Sequence, residues 1–348
     1  MSLIAPSELT NPVLLCTKSG QLNPAARGWA RHPLYRCNLV GPMFRRKRWN
    51  FACVATQDLL FAVAISDADY VGLVFAWMYD FRTGELRDME QLQPLARGVK
   101  LGESFSDDAE FSGGGVSMHW RPQLVGTEAA QPSAIELQLH CPNFGGEKLT
   151  AELLIQLPRS DESLNLVVPW SDARFGFTSK HVCLPTHGFI TVGDKTRTLV
   201  AEQALGSIDF SRGVWPYNSR WHWASGSGFA GGRRLGLNLG AGWTDGTGVV
   251  ENAIFLDGHV IPLWEQVQFL FDPANLRGTW RIQTPESQNV RLTFTPAQSR
   301  TQDTNLGILR TKLDQVIGHF SGRVILPSGE ELLIEDLPGI AENHIARF

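Results

Sequence analysis

The chain predicts an all-β fold of two antiparallel barrels packed side by side, with few short helices. Three observations carry this expectation. Apolar residues recur at every second position in run after run, tight-turn signals separate the runs, and no strand–helix alternation exists to build a parallel sheet. In "AIELQLH" (134–140), Ile135, Leu137 and Leu139 alternate with Glu136, Gln138 and His140. "LTAELLIQL" (149–157) places Leu149, Ala151, Leu153, Ile155 and Leu157 on one face, and "VRLTFTP" (290–296) repeats the pattern. Thr83-Gly84, Gly193-Asp194, Asp257-Gly258 and Ser328-Gly329 suit hairpin turns.

Helical spacing is confined to "NLGILRTKLDQVIGHF" (305–320), where Ile308, Leu309, Leu313 and Ile317 form an apolar stripe, and to "LTNPVLL" (9–15). Pro158, Pro169 and a polar cluster interrupt the alternation over 158–175. That break divides the chain into barrels at 1–165 and 166–348, each long enough for about eight strands. Two hairpin-like segments, "YDFRTGELRDMEQL" (79–92) and "VILPSGEELLIEDL" (324–337), share a Gly-Glu turn and hint at duplication.

With 348 residues, 43% of them apolar and 19% charged, the chain has ample core and is not a disordered polypeptide. A formal net charge of −4 and the lack of a broad basic face argue against a nucleic-acid partner. The single basic run, Arg45-Arg46-Lys47-Arg48, reads as a solvated loop or a strand start. Five cysteines without a CxxC pair read as buried thiols in a reducing compartment. Neither a signal peptide nor an apolar run of about 18 residues is present, so the expectation is a cytoplasmic protein without stable membrane insertion. The oligomeric state is left open.

Most motifs fail on spacing. "SGGGVSM" and "GLNLGAGWTDGTG" match neither a dinucleotide loop nor a phosphate loop, and Ser225 and Ser227 lack the flanking glycines of a nucleophile elbow. His181, Cys183 and His187 lie close in sequence, but no further ligand completes a metal site, so no metal and no cofactor are expected.

The segment that carries chemistry is "SIDFSRGVWPYNSRWHWASGSG" (207–228), which holds three of the eleven tryptophans. Trp215, Tyr217, Trp221 and Trp223 share a parity and hence one face of a strand, while Arg220 and His222 point the other way. Asp209 is the candidate proton donor, a carboxyl kept protonated by burial, and Arg212 its orienting partner. The tryptophan and tyrosine faces would stabilise developing positive charge. Asn238 and Asn252, polar residues within apolar runs, would position a polar group of the ligand, and Arg220 and His119 complete the candidate binding set.

Four long motifs, "RRKRWNF" (45–51), "DFSRGVWPYNSRWHWASGSG" (209–228), "LGLNLGAGWTDGTGVVENAIFLDG" (235–258) and "GHFSGRVILPSGEELLIEDLPGIAENHIARF" (318–348), resemble the domain of unknown function 2804 family over almost the full chain. That family is similar to lipocalin-like two-barrel proteins, carotenoid hydratases and fungal pericyclases among them. The resemblance implies a large apolar ligand, handled without metal or nucleotide.

Together these features predict an aromatic-lined cavity for a hydrophobic lipid or terpenoid-like molecule. They are consistent with a cofactor-free hydratase, cyclase or isomerase (a lyase or isomerase) working by acid catalysis. A non-catalytic lipid carrier or sensor, or a structural interaction module, is the competing reading.

Overall fold

In the computed structural model, which describes residues 4–124, 131–305 and 310–347, two large antiparallel sheets each curl around a core of their own. The fold is all-β, two lipocalin-like half-barrels side by side. Among the described residues the first sheet has fourteen strands. Its main path runs from Glu85–Pro94 through Val71–Asp80, Leu59–Asp67, Arg46–Ala55, Leu205–Val214, Phe175–Val192, Glu147–Gln156, Ala134–Phe144, Val116–Gln123 and Ala109–Gly113 to Val99–Leu101. The second has nine, from His259–Pro262 through Ala253–Leu256, Arg233–Ala241, Asn218–Ala230, Glu331–Arg347, Arg310–Ile325, Val290–Asn305 and Trp280–Gln283 to Gln268–Leu270.

The alternation that predicts the strands also decides which side chain goes where. Along Arg46–Ala55, Ala52 and Val54 enter the first barrel, while Phe51, Cys53 and Ala55 face out. Along Leu59–Asp67, Phe61, Val63 and Ile65 face in, and Leu60, Ala62 and Ala64 face out. The outward faces are buried as well, because they meet Trp223, Ile317 and Ile340 of the second sheet. A strand packed on both faces has no polar side, which is why "LLFAVAI" reads as continuously apolar. The molecule therefore has three apolar layers: one inside each barrel and one at the seam.

Phe175–Val192 supplies the curl of the first sheet. It pairs with Leu164–Pro169 along its first half and with Glu147–Gln156 along its second. At the changeover its register against Leu205–Val214 shifts between His181 and Leu184, and Cys183 takes a left-handed φ of 65°. This is a β-bulge that bends one strand from one wall into the next.

All four turns read from the sequence connect paired strands, and both Gly-Glu segments form hairpins. Two expectations are corrected. The stripe at 305–320 is not a helix: Arg310–Ile325 is a strand between Val290–Asn305 and Glu331–Arg347. Ile317 faces the seam and Val316 and Phe320 the barrel core, so apolar residues on both faces imitate helical spacing. Ile308 and Leu309 lie outside the described residues. Likewise "LTNPVLL" contains a short strand, Val13–Leu14, parallel to Tyr35–Arg36. The change of sheet falls between Val214 and Asn218, and the proline-flanked Leu164–Pro169 is itself a strand of the first sheet.

Gly188, at φ +138°, crosses so close to Glu152 that an added Cβ would fall on its carbonyl oxygen. Gly188→Ala is therefore expected to destabilise the chain by roughly 2 kcal/mol or more. A lowered thermal unfolding midpoint by circular dichroism would show it, and an unchanged midpoint would contradict this account of the close approach.

Candidate functional site

The seam encloses a part-open pocket of about 290 Å³. Its walls come from the outward face of the first sheet (Trp49, Phe51, Thr178, Lys180, Asp209) and from the facing strands of the second (Trp221, Trp223, Gln315, Glu342, His344). Trp215, from the crossing between the sheets, and Trp243 close one side. These indoles form one continuous cluster. Trp215 stacks on Trp243 at 5.3 Å and 3°, and Trp49 and Trp221 lie 5.3 and 5.7 Å from Trp215. Gly176 makes the packing possible: a Cβ there would come within 3.1 Å of Trp243 and 3.2 Å of Trp170.

The floor is charged. Lys180 Nζ lies 3.0 Å from Asp209 Oδ2 and 3.3 Å from Glu251 Oε2, and all three residues are buried. Asp209 Oδ2 also accepts from the Trp49 indole N–H at 3.0 Å, and Oδ1 accepts from the Thr178 hydroxyl at 3.1 Å. Glu251 Oε1 accepts from the Trp243 indole N–H. Its Oε2 is held by the charge of Lys180 rather than by a directed hydrogen bond. Gly240 leaves room for this carboxyl, since a Cβ there would fall on Oε1. The Lys180 ammonium also lies 4.7 Å over the Trp223 ring, a cation–π contact within the same floor.

A third carboxyl, Glu342, enters from the second sheet. Gln315 Nε2 donates to its Oε1 at 2.6 Å, Trp221 also donates to it, and Gln315 Oε1 in turn accepts from Arg300. Burial opposes the charge of Lys180, but the two carboxylates outweigh it and hold the ammonium above the ordinary lysine range. Burial pushes Glu251 up despite Lys180, and pushes Glu342 up to about 7 despite Gln315. His344 adds no charge: desolvation lowers it to about 3. The floor thus sets one ammonium at contact distance from two carboxyls, with a third, Glu342, on the facing wall.

Of the residues expected from sequence, Asp209, Trp215, Trp221 and Trp223 line the pocket. The pairing of Asp209 with Arg212 does not form. The two are three residues apart on one strand, so they project from opposite faces. Arg212 is buried inside the first barrel. It donates to the carbonyls of Gly102, Trp49 and Ser211 and to Asn50 Oδ1 at 2.8–3.0 Å, with its guanidinium over the Phe210 ring. Lys180 occupies the role expected of it.

Asn238 and Asn252 support the site without lining it. Asn238 accepts from Trp223 Nε1 at 2.9 Å and donates to the Glu251 carbonyl, while Asn252 ties the Gly240 N–H to the Glu265 carbonyl. Tyr217 is partly exposed beneath the Arg45 guanidinium, and Arg220 is exposed on the face opposite Trp221. His119 lies on Val116–Gln123, well removed in sheet order and nearest Glu110. His181 stacks on Phe105 at 4.1 Å, away from the bulged Cys183 and from His187, which faces Gln156.

The fold and site define a class: an all-β, two-half-barrel protein with an indole-walled, charge-floored pocket at the seam. Its sequence matches the domain of unknown function 2804 model over residues 6–348, and the chain belongs to that family. No curated protein matches it in sequence. Among solved structures, CghA with Sch210972 aligns at a TM-score of 0.52 and 11% identity, over 86% of this chain and 88% of that one. A putative AttH from Nitrosomonas europaea aligns at 0.50 and 12%, over 88% and 94%. Kievitone hydratase from Nectria haematococca aligns at 0.49 and 10%, over 99% and 98%. At such identities the likeness is one of fold.

Two outcomes follow from the floor. Lys180→Met leaves Asp209 and Glu251 buried without their cation and should cost about 3–5 kcal/mol at pH 8 in urea unfolding, and less at pH 5, because burial raises Glu251 and so eases its protonation as pH falls. A loss independent of pH would argue against the shared-ammonium description. Separately, folding raises Glu342 above its ordinary 4.5, so its contribution to stability is full below that value and fades as pH climbs through about 7. Glu342→Gln should therefore gain on the parent chain with rising pH, by up to about 3 kcal/mol at pH 8; parallel stability–pH curves would overturn this.

Proposed function

We propose that the protein takes up an apolar small molecule in the seam pocket and transfers a proton to or from it, in lyase or isomerase chemistry carried by its own side chains. The observation that carries this reading is the floor, where Lys180 pairs with the buried Asp209 and Glu251 and a third buried carboxyl, Glu342, faces the same pocket. Burial raises Glu251 and takes Glu342 up to about 7, which favours a proton held at the foot of an apolar cavity. Glu342 is the best placed to exchange it. Its value of about 7 suits a general acid or base at neutral pH, and it faces the pocket from the wall opposite Asp209.

Asp209 has a different part. Its Oδ2 meets two obligatory donors, an indole N–H and an ammonium, so that oxygen is an acceptor. It anchors Lys180 and lends the floor negative charge. The indole faces then favour positive charge that develops on a protonated ligand, as Trp223 already does for the Lys180 ammonium. That CghA, which shares the fold, was solved with Sch210972 supports a bound ligand in this chain as well.

The test has two parts. Dodecanol and a panel of unsaturated terpene alcohols should quench tryptophan fluorescence in the parent chain, and Trp221→Ala should weaken that response. Any panel member that binds is then incubated in D₂O. Deuterium should appear at its carbon atoms by mass spectrometry, and Glu342→Gln should slow the uptake by about 10²-fold or more while binding is kept. Binding without exchange would leave a carrier, and no binding would remove the small-molecule reading altogether.

A further inference from the structure

The seam pocket opens beside two turn tips whose residues are unusual for turns. The first tip, closed by Arg45 N–H donating to the Pro42 carbonyl at 3.2 Å, carries Met43 and Phe44, 69% and 47% exposed. The second, closed by Arg97 N–H donating to the Pro94 carbonyl, carries Leu95, 59% exposed. Phe44 and Leu95 adopt left-handed backbone, with φ of 70° and 57°, a conformation that Gly or Asn ordinarily supplies. The chain holds large apolar side chains outward at positions where polar ones would be easier.

Both tips are fixed to the same element of the pocket mouth. Phe44 N–H donates to Asp69 Oδ2 at 2.9 Å, its ring lies 6.5 Å from Tyr70, and Leu95 N–H donates to the Tyr70 carbonyl at 2.8 Å. Asp67, Ala68, Tyr70 and Val71, from that connecting turn and its flanks, line the pocket.

The rim is also basic. Arg45 sits between the Met43–Phe44 tip and Tyr217, and Arg97 is exposed beside Leu95. Arg310 and Arg347 line the mouth from the second sheet. Of the nearby acids, the Asp67 and Asp69 side chains are only 10% and 4% exposed and are paired with Arg48 and Arg46, Asp303 lies 3.6 Å from Arg310, and Glu90 accepts from Gln302. This basic rim stands out on a chain whose net charge is −4.

We propose that this rim docks on an anionic lipid surface. Met43, Phe44 and Leu95 enter the headgroup layer, the arginines meet lipid phosphates, and the pocket exchanges its ligand with the membrane. The inference rests on the pocket taking an apolar molecule, which a bilayer would store. Projecting tips that carry single apolar side chains beside arginines suit a soft, charged interface better than the extended complementary area a second copy would need.

The full chain is mixed with sucrose-loaded vesicles of phosphatidylcholine, with or without one part in three phosphatidylglycerol, and sedimented. Binding to the anionic vesicles should be at least tenfold stronger and should fall as salt is raised. Two variants, Met43→Ser with Phe44→Asn, and Leu95→Asn, use residues that tolerate the local backbone. Each should cut vesicle binding at least tenfold, with the thermal midpoint kept and dodecanol quenching of pocket tryptophans intact. Equal binding to both vesicle types, no sedimentation, unaffected variants, or variants that instead dissociate a dimer on gel filtration would each overturn the proposal. Loss of dodecanol quenching in the parent chain, with vesicle binding intact, would remove the pocket reading and leave the docking surface standing.

Discussion

Burying three carboxyls in a pocket that holds one ammonium is the constraint on which the site depends. Desolvation of each carboxylate costs several kcal/mol unless charge and hydrogen bonds offset it. Here the offset comes largely from tryptophan. The indole N–H groups of Trp49, Trp243 and Trp221 point at Asp209, Glu251 and Glu342, and that of Trp223 fixes the Asn238 that braces the Glu251 backbone. An indole donates and never accepts, so it can steady a carboxylate without competing for its proton. The same rings turn their faces to the cavity. One residue type supplies both an apolar wall and the donors that make a charged floor tolerable, which explains why tryptophans are concentrated here rather than in either barrel.

The location follows from how the barrels are filled. The interior of the first is packed with side chains such as Phe61, Phe111, Phe144 and Phe177, and that of the second with Trp280, Phe294 and Phe320, all at most 1% exposed. The seam differs because it joins the outer faces of two curled sheets, and two convex surfaces meet closely only along a line. Along that line Phe51, Trp77, Ile317 and Ile340 pack solidly. Where the surfaces diverge a gap opens, and it is this gap that the indoles and the charges line. Four distant stretches contribute one ionisable group each, so the site exists only when both barrels are complete.

Much of this architecture was legible. Period-two alternation identifies the strands, and the shared parity of Trp221 and Trp223 correctly gives them one face, with His222 turned toward Phe269 and Phe271 inside the second barrel. The same rule, applied to residues 209 and 212, separates the pair that closeness in sequence suggested. Lys180 carried no comparable signal: in "FTSKHV" it is one lysine among polar neighbours, and only the pairing of Phe175–Val192 with Leu205–Val214 sets it opposite Asp209. Glu342 was equally hidden, since it is brought to the floor by a strand from the far end of the chain. Local periodicity reports which face a residue takes, whereas an ion cluster is made by register between remote strands, and register is set by the assembled sheet.

The run Arg45-Arg46-Lys47-Arg48 shows how one short stretch can serve both pocket and surface. Alternation splits it. Arg46 and Arg48 pair with Asp69 and Asp67, locking the turn beside the mouth. Lys47 is buried among the carbonyls of Phe44, Arg46 and Ala68 and over the Tyr70 ring, and burial lowers it to about 8. Arg45 remains at the surface beside Tyr217. The basic run is thus mostly internal wiring of the rim, and it fixes the backbone on which Met43 and Phe44 are held outward. An apolar ligand crossing water to reach such a mouth would lose the solvation advantage of whatever phase held it. Under the docking proposed above, a rim stiff enough to keep apolar side chains exposed would let the mouth meet that phase directly, connecting the geometry of the entrance to the chemistry of the floor.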